Sequence, residues 1–227
     1  MSLMRNFQKN FSAEAEAAAT PATSGRGGRG LVAGKQLTAL LDASLSEDLR
    51  KLSDIKAVST KIQRKREVLI PQYEGYVERL RDEGLHHDLL PYMMLWQFDA
   101  GDIEKALDLG LHCVREGLPM PERFRRDVPT TIADAVLEWA EGVYNEQGTP
   151  EPYFSTVLGF IDGMNTAEPW DLPDKVAAKY YRLAGLLEMR AERYESAVAC
   201  FETAQELGAP VKTVLAEARK ATDAGGE

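Results

Sequence analysis

Three histidines, two cysteines and a few closely spaced acids are the side chains with which this chain could do chemistry. His86-His87-Asp88 are adjacent, so on a helix their side chains diverge, and His112 beside Cys113 has the same difficulty. There is no H-E-x-x-H run and no paired C-x-x-C. Two thiols, Cys113 and Cys200, are too few for a four-ligand zinc site or a disulfide framework, which points to a reducing compartment. Each thiol reads more simply as a small core residue of a helical hairpin. No G-x-S-x-G elbow offers a nucleophile. Asp99 and Asp102 could share a magnesium ion in principle, but a capping role explains them more cheaply. A metal nuclease needs several carboxylates and a lysine converging on a rigid scaffold, and the spacing shows no such cluster. Gly34-Lys35 imitates the end of a P-loop. Arg29 stands where its first Gly is needed, and Gln36 where Ser or Thr must bind magnesium. The expectation is no catalytic residue, no metal, no cofactor and no small-molecule substrate.

Charge is more informative. The net charge is −9, from 27 basic and 36 acidic residues, which disfavours nucleic acid as a default partner. Residues 1–82, however, carry 14 basic and 10 acidic side chains, and residues 83–227 carry 13 and 26. Between Arg50 and Arg66 stand Lys51, Lys56, Lys61, Arg64 and Lys65, with Asp54 the only acid. Lys61, Arg64 and Lys65 share a helix face by i+3 and i+4 spacing. A second group, Arg123, Arg125 and Arg126, flanks Phe124 in a proline-bounded connector. Lys56, Lys61, Arg64, Lys65, Arg66 and these three arginines are the candidate phosphate contacts. The competing reading is a solvated helix face.

The elements that must position them are helical throughout. Residues 1–34, rich in Ala, Glu, Ser and Thr and ending in Gly25-Arg26-Gly27-Gly28-Arg29-Gly30, read as a disordered basic tail. From Leu37 the apolar residues Leu41, Leu45, Leu49, Leu52, Ile55, Val58 and Ile62 recur at a mean spacing of 3.5, the period of a coiled-coil seam. With no Gly or Pro between Lys35 and Ile70, one helix of roughly 45 Å is expected, needing a partner helix to cover its stripe. Pro71 marks a kink or break, and a helix from Gln72 to Arg81 ends at Gly84. Two helical hairpins are expected, at 87–116 and 171–207. In the second, Gly185, Tyr194, Ala197, Phe201, Ala204 and Pro210 follow tetratricopeptide-type spacing. Helices at 132–144, 153–163 and 211–221 complete an all-α fold. The longest apolar stretch, Leu89 to Trp96, falls far short of the roughly 20 residues that span a bilayer, and no leader of signal-peptide type is read at the start.

Several segments together resemble a family. They are Lys65-Arg66-Glu67 with Leu69, then Met94-Leu95-Trp96-Gln97-Phe98-Asp99-Ala100-Gly101-Asp102-Ile103 with Ala106-Leu107. Gly117-Leu118-Pro119-Met120-Pro121, Arg125-Arg126 and Pro129 follow, then Asp171-Leu172-Pro173-Asp174-Lys175-Val176 and Leu183-Ala184-Gly185-Leu186. In this order they resemble the small terminase subunit of temperate tailed phages of the peduovirus type, over about Leu49 to Lys220. The resemblance implies a protein of the bacterial host cytoplasm that recognises the packaging site on phage double-stranded DNA. It implies a ring-shaped homo-oligomer that hands DNA to a large terminase subunit holding the ATPase and nuclease. The family's traditional label, terminase endonuclease subunit, implies instead a chain that cuts the cohesive-end site, and the residues show no constellation for it. A third reading is a helical-repeat adaptor that binds protein alone. On the first reading, residues 35–84 serve assembly and DNA contact, with Leu41, Leu45, Leu49, Leu52, Ile55 and Ile62 as the oligomerisation seam. Residues 85–227, with an acidic C-terminal part, serve assembly and large-subunit docking.

Overall fold

The computed structural model describes residues 29–166 and 168–225, with side chains from residue 36 onward. Every regular element among them is helical. The chain divides after Asp54 into two compact units. The first contains α1 (Arg29–Asp54). That helix starts at Arg29, so the last residues of the expected tail are helical; residues 1–28 lie outside the described part. Leu41, Leu45, Leu49 and Leu52 fall on one face of α1 by their spacing.

The single long helix expected to Ile70 is interrupted. The Ser53 hydroxyl donates to the Arg50 carbonyl at 2.6 Å, and Arg50 pairs with Glu47 at 3.0 Å and Asp54 at 3.7 Å. A short polar side chain that bonds the local backbone competes with helix propagation, and Ser53 is such a stop without Gly or Pro. Ala57 is extended (φ −76°, ψ 128°) and opens α2 (Val58–Arg64) in the second unit. The apolar seam read from Leu41 to Ile62 is therefore discontinuous: Ile55 falls in the break and Ile62 on α2.

Pro71 does not break the chain. It sits in the first turn of α3 (Ile70–Asp82), and the turn before it, Lys65–Leu69, widens to a π-helix. Proline has no N–H to return to Glu67, and its ring crowds that carbonyl. The wider turn relieves both, with the Ile70 N–H donating to the Lys65 carbonyl five residues back.

The rest is hairpins and their connectors. α4 (Leu89–Ala100) and α5 (Ile103–Arg115) form the first hairpin; α6 (Val128–Asn145) and α7 (Tyr153–Ile161) follow. α6 begins earlier than the expected residue 132 because Asp127 caps it, accepting the Thr130 N–H at 2.9 Å, with Pro129 in the first turn. α8 (Asp174–Arg190), α9 (Tyr194–Glu206) and α10 (Lys212–Gly225) close the fold. Trp96, Tyr73, Tyr180, Phe154 and Phe201 are fully buried. Tyr180 stacks on Phe154 at 5.2 Å, and its hydroxyl donates to the Ala133 carbonyl at 2.8 Å, tying α8 to α6 and α7. At Gly185 an added Cβ would lie 2.5 Å from the Phe201 ring, so α8 and α9 touch where the sequence pairs a small residue with an aromatic. Among the described residues no helix is long and apolar enough to cross a membrane.

Candidate nucleic-acid interface

The basic segment of α2 and the π turn splits into two kinds of cation. Lys65 pairs with Asp99, and Arg66 donates through Nη2 to the Ala100 carbonyl at 2.7 Å. Both partners belong to the last turn of α4. That helix ends on Gly101 (φ +80°), whose N–H donates to the Phe98 carbonyl, while the Asp102 N–H donates to the Gln97 carbonyl. Arg66 thus adds a charged donor to the carbonyl-rich helix end. The Asp102 carboxylate accepts the Lys105 N–H at 3.2 Å and caps α5. Lys65, Arg66, Asp99 and Asp102 all lock one helical corner.

Lys56 and Lys61 differ. Lys56 is exposed in the break and Lys61 half-buried on α2. Neither forms an ion pair among the described residues. Arg64 is half-buried and its Nε is sheltered without a hydrogen-bond acceptor.

The connector arginines divide in the same way. The Arg123 guanidinium lies 4.7 Å from the ring centres of both Tyr92 and Phe124, which meet edge to face at 5.9 Å. Burial pushes the Tyr92 phenol above its ordinary range, against the opposing pull of Arg123. Arg126 pairs with Asp134 on α6. Arg125 is exposed and makes no ion pair among the described residues. Both basic groups are anchored to α4, one at Asp99–Ala100 and one at Tyr92. Those positions are seven residues apart, about two turns or roughly 10 Å along one helix face.

The other chemistry-bearing residues are used for packing. His87 is buried at the start of α4, its Nδ1 accepting the Leu89 N–H at 2.9 Å. Burial, helped by the charges of Arg81 and Arg115, holds His112 below its usual pKa. Cys113 is buried in α5 and its thiol is pushed up to about 12 by that burial, far from the range of a nucleophile. Among the described residues no group of three or more His, Cys, Asp or Glu side chains is arranged to hold a metal ion.

Sequence reading missed two features. The acidic excess is in the middle of the chain rather than in the last hairpin: residues 83–173 carry 17 acids against 5 bases, and residues 174–227 carry 9 against 8. A finer charge count would have located it. The second feature is an open cleft of about 560 Å³ beside the α4–α5 corner, lined among others by Arg66, Gln97, Asp102, Glu104 and Tyr153. Tyr153 comes from α7, and no spacing pattern could have joined it to Gln97.

An all-helical scaffold with a cation-bearing helix docked on its first hairpin is the class of protein that these observations define. The chain belongs to the phage small terminase subunit family, whose model matches residues 42–175, from within α1 to the start of α8. It is 27% identical over 155 residues to the probable terminase, endonuclease subunit, of Haemophilus phage HP1, covering 67% of this chain and 53% of that protein. It is 30% identical over 145 residues to the terminase, endonuclease subunit, of Escherichia phage P2, covering 63% and 56%. The chain thus spans about half the length of the curated relatives it matches. No solved structure matches it.

Proposed function

We propose that this chain serves phage DNA packaging as the subunit that grips viral double-stranded DNA, with α2 as the phosphate-contacting face. One observation carries the reading. In a segment where Lys65 and Arg66 are tied to the end of α4, Lys56 and Lys61 keep their charge uncompensated. Arg64 lies on the same helix, and Arg125 offers a further contact from the connector. Copies of the chain associate, and the DNA passes to a large subunit with ATPase and nuclease activity in the host cytoplasm.

The test is DNA retention in a gel-shift assay. Lys56→Glu with Lys61→Glu abolishes retention and leaves the circular dichroism spectrum unchanged. Undiminished binding by that double variant would remove α2 from the interface.

Both relatives carry the word endonuclease in their names. Asp99 and Asp102, the acids suggested for a magnesium ion, already serve Lys65 and the α5 cap. The non-catalytic reading therefore predicts no magnesium-dependent nicking by the purified chain. Nicking that is lost on Asp99→Asn or Asp102→Asn would reverse it.

A further inference from the structure

The last hairpin separates its charges by helix. Val176, Tyr180 and Leu183 form the buried side of α8, where Tyr180 stacks on Phe154, and Gly185 meets α9 on another side. On the side left open, Lys175, Lys179 and Arg182 recur at i, i+4 and i+7 and share one stripe about 10 Å long. Lys175 and Lys179 are exposed and Arg182 is half-buried, and none forms an ion pair among the described residues. Leu186 and Met189 continue the same stripe, half-buried at the edge of the core that α9 and α10 share. On α9, Ala197, Phe201 and Ala204 point inward. Opposite them Glu195, Ala199, Glu202 and Glu206 recur at i, i+4, i+7 and i+11, all exposed. Glu202 pairs with Arg219 of α10 at 2.8 Å, while Glu195 and Glu206 form no ion pair among the described residues. α9 contains no Lys or Arg. The acids of α8 are Asp174 in its first turn and Glu188, which pairs with Arg193.

We propose that the α8 stripe of one copy of this chain packs on the α9 stripe of a second copy. The two stripes match in sign and in spacing, so cations and acids meet in register along both helices. Ala199, the small member of the acidic stripe, leaves room for the long stems of Lys179 and Arg182. A stripe meant for phosphate would stand beside the acidic helix of its own hairpin, which disfavours DNA as its occupant. The contact is heterologous: each copy offers α8 to one neighbour and α9 to another. An exposed ion pair contributes little alone, so the contact is weak and salt-sensitive. It rests on the reading that copies of the chain associate, and it names the surfaces by which they do.

The test is sedimentation velocity of the full chain at low salt, with one stripe reversed at a time. Lys175→Glu with Lys179→Glu makes both stripes negative, and Glu195→Lys with Glu206→Lys makes both positive. All four positions are exposed, so the fold should survive, which circular dichroism checks. Each double variant alone weakens self-association by about tenfold, because like charges now face each other. An equimolar mixture of the two reassociates to the size of the native assembly, since every contact again joins opposite signs. Native-like assembly of either double variant alone would overturn the proposal, and so would a mixture that stays apart. Loss of DNA retention by a Lys175→Glu, Lys179→Glu chain that still assembles would also overturn it, by making the α8 stripe a phosphate contact. A native chain that stays monomeric overturns the association reading together with this one. A native chain that assembles while its variants do the same overturns this one alone.

Discussion

Lys65, which holds a helix corner, and Lys61, which forms no ion pair among the described residues, are alike in the sequence, and their partners separate them. The Lys65 side chain is 15% exposed against Asp99, so removing Asp99 strands a mostly sheltered cation. Asp99→Ala is expected to destabilise the fold by about 1 kcal/mol in urea unfolding, near the upper end for partly exposed pairs. Lys61→Ala should cost almost nothing in the same measurement. His112 gives a pH-dependent counterpart. Its folded pKa lies below the unfolded value, so the unfolded state binds the proton more readily. Its contribution is complete above about pH 6.5, the unfolded value, and is lost as pH falls below it. His112→Gln should flatten the stability profile below about pH 6.5. The thiols add a simple check: Cys113 should resist a thiol reagent until the chain unfolds, while half-buried Cys200 is modified slowly in the native protein.

Elements were legible wherever a local stop or start signal was present. Gly84, Gly101, Gly117 and Gly208 all have positive φ at helix ends or turns, as glycines there usually do. The break at 55–57 was hidden because its local signal is Ser53 bonding back to the Arg50 carbonyl, which is weaker than Gly or Pro. The π turn was hidden for the opposite reason: Pro71 announces a kink, and a one-residue widening absorbs it. Packing between α8 and α9 was legible in the pairing of Gly185 with Phe201. Gly185→Ala forces a methyl into the Phe201 ring and should cost about 1–3 kcal/mol, the usual range for overpacking. Phe201→Leu in that background should recover part of the loss, which thermal melting of the two variants can read.

For the molecule as a whole, two of the segments that carried the family resemblance build the corner. Gln97, Asp99, Gly101 and Asp102 close α4 and start α5, and Lys65 and Arg66 clamp them from the π turn. Part of the family resemblance was therefore carried by residues whose work is structural, and the proposed DNA contacts Lys56 and Lys61 are not among them. The cleft was illegible because it joins residues far apart in sequence. The net charge of −9 hid a basic stretch from Arg50 to Arg66 ahead of an acidic middle of the chain.

The most direct measurement is the slope of log binding constant against log salt for duplex DNA, with the native chain and with Lys56→Ala plus Lys61→Ala. Each phosphate contact contributes about 0.9 to that slope, so two lost contacts should lower it by about 1.8. An unchanged slope, or binding by the native chain that ignores salt, would contradict a grip on DNA through Lys56 and Lys61.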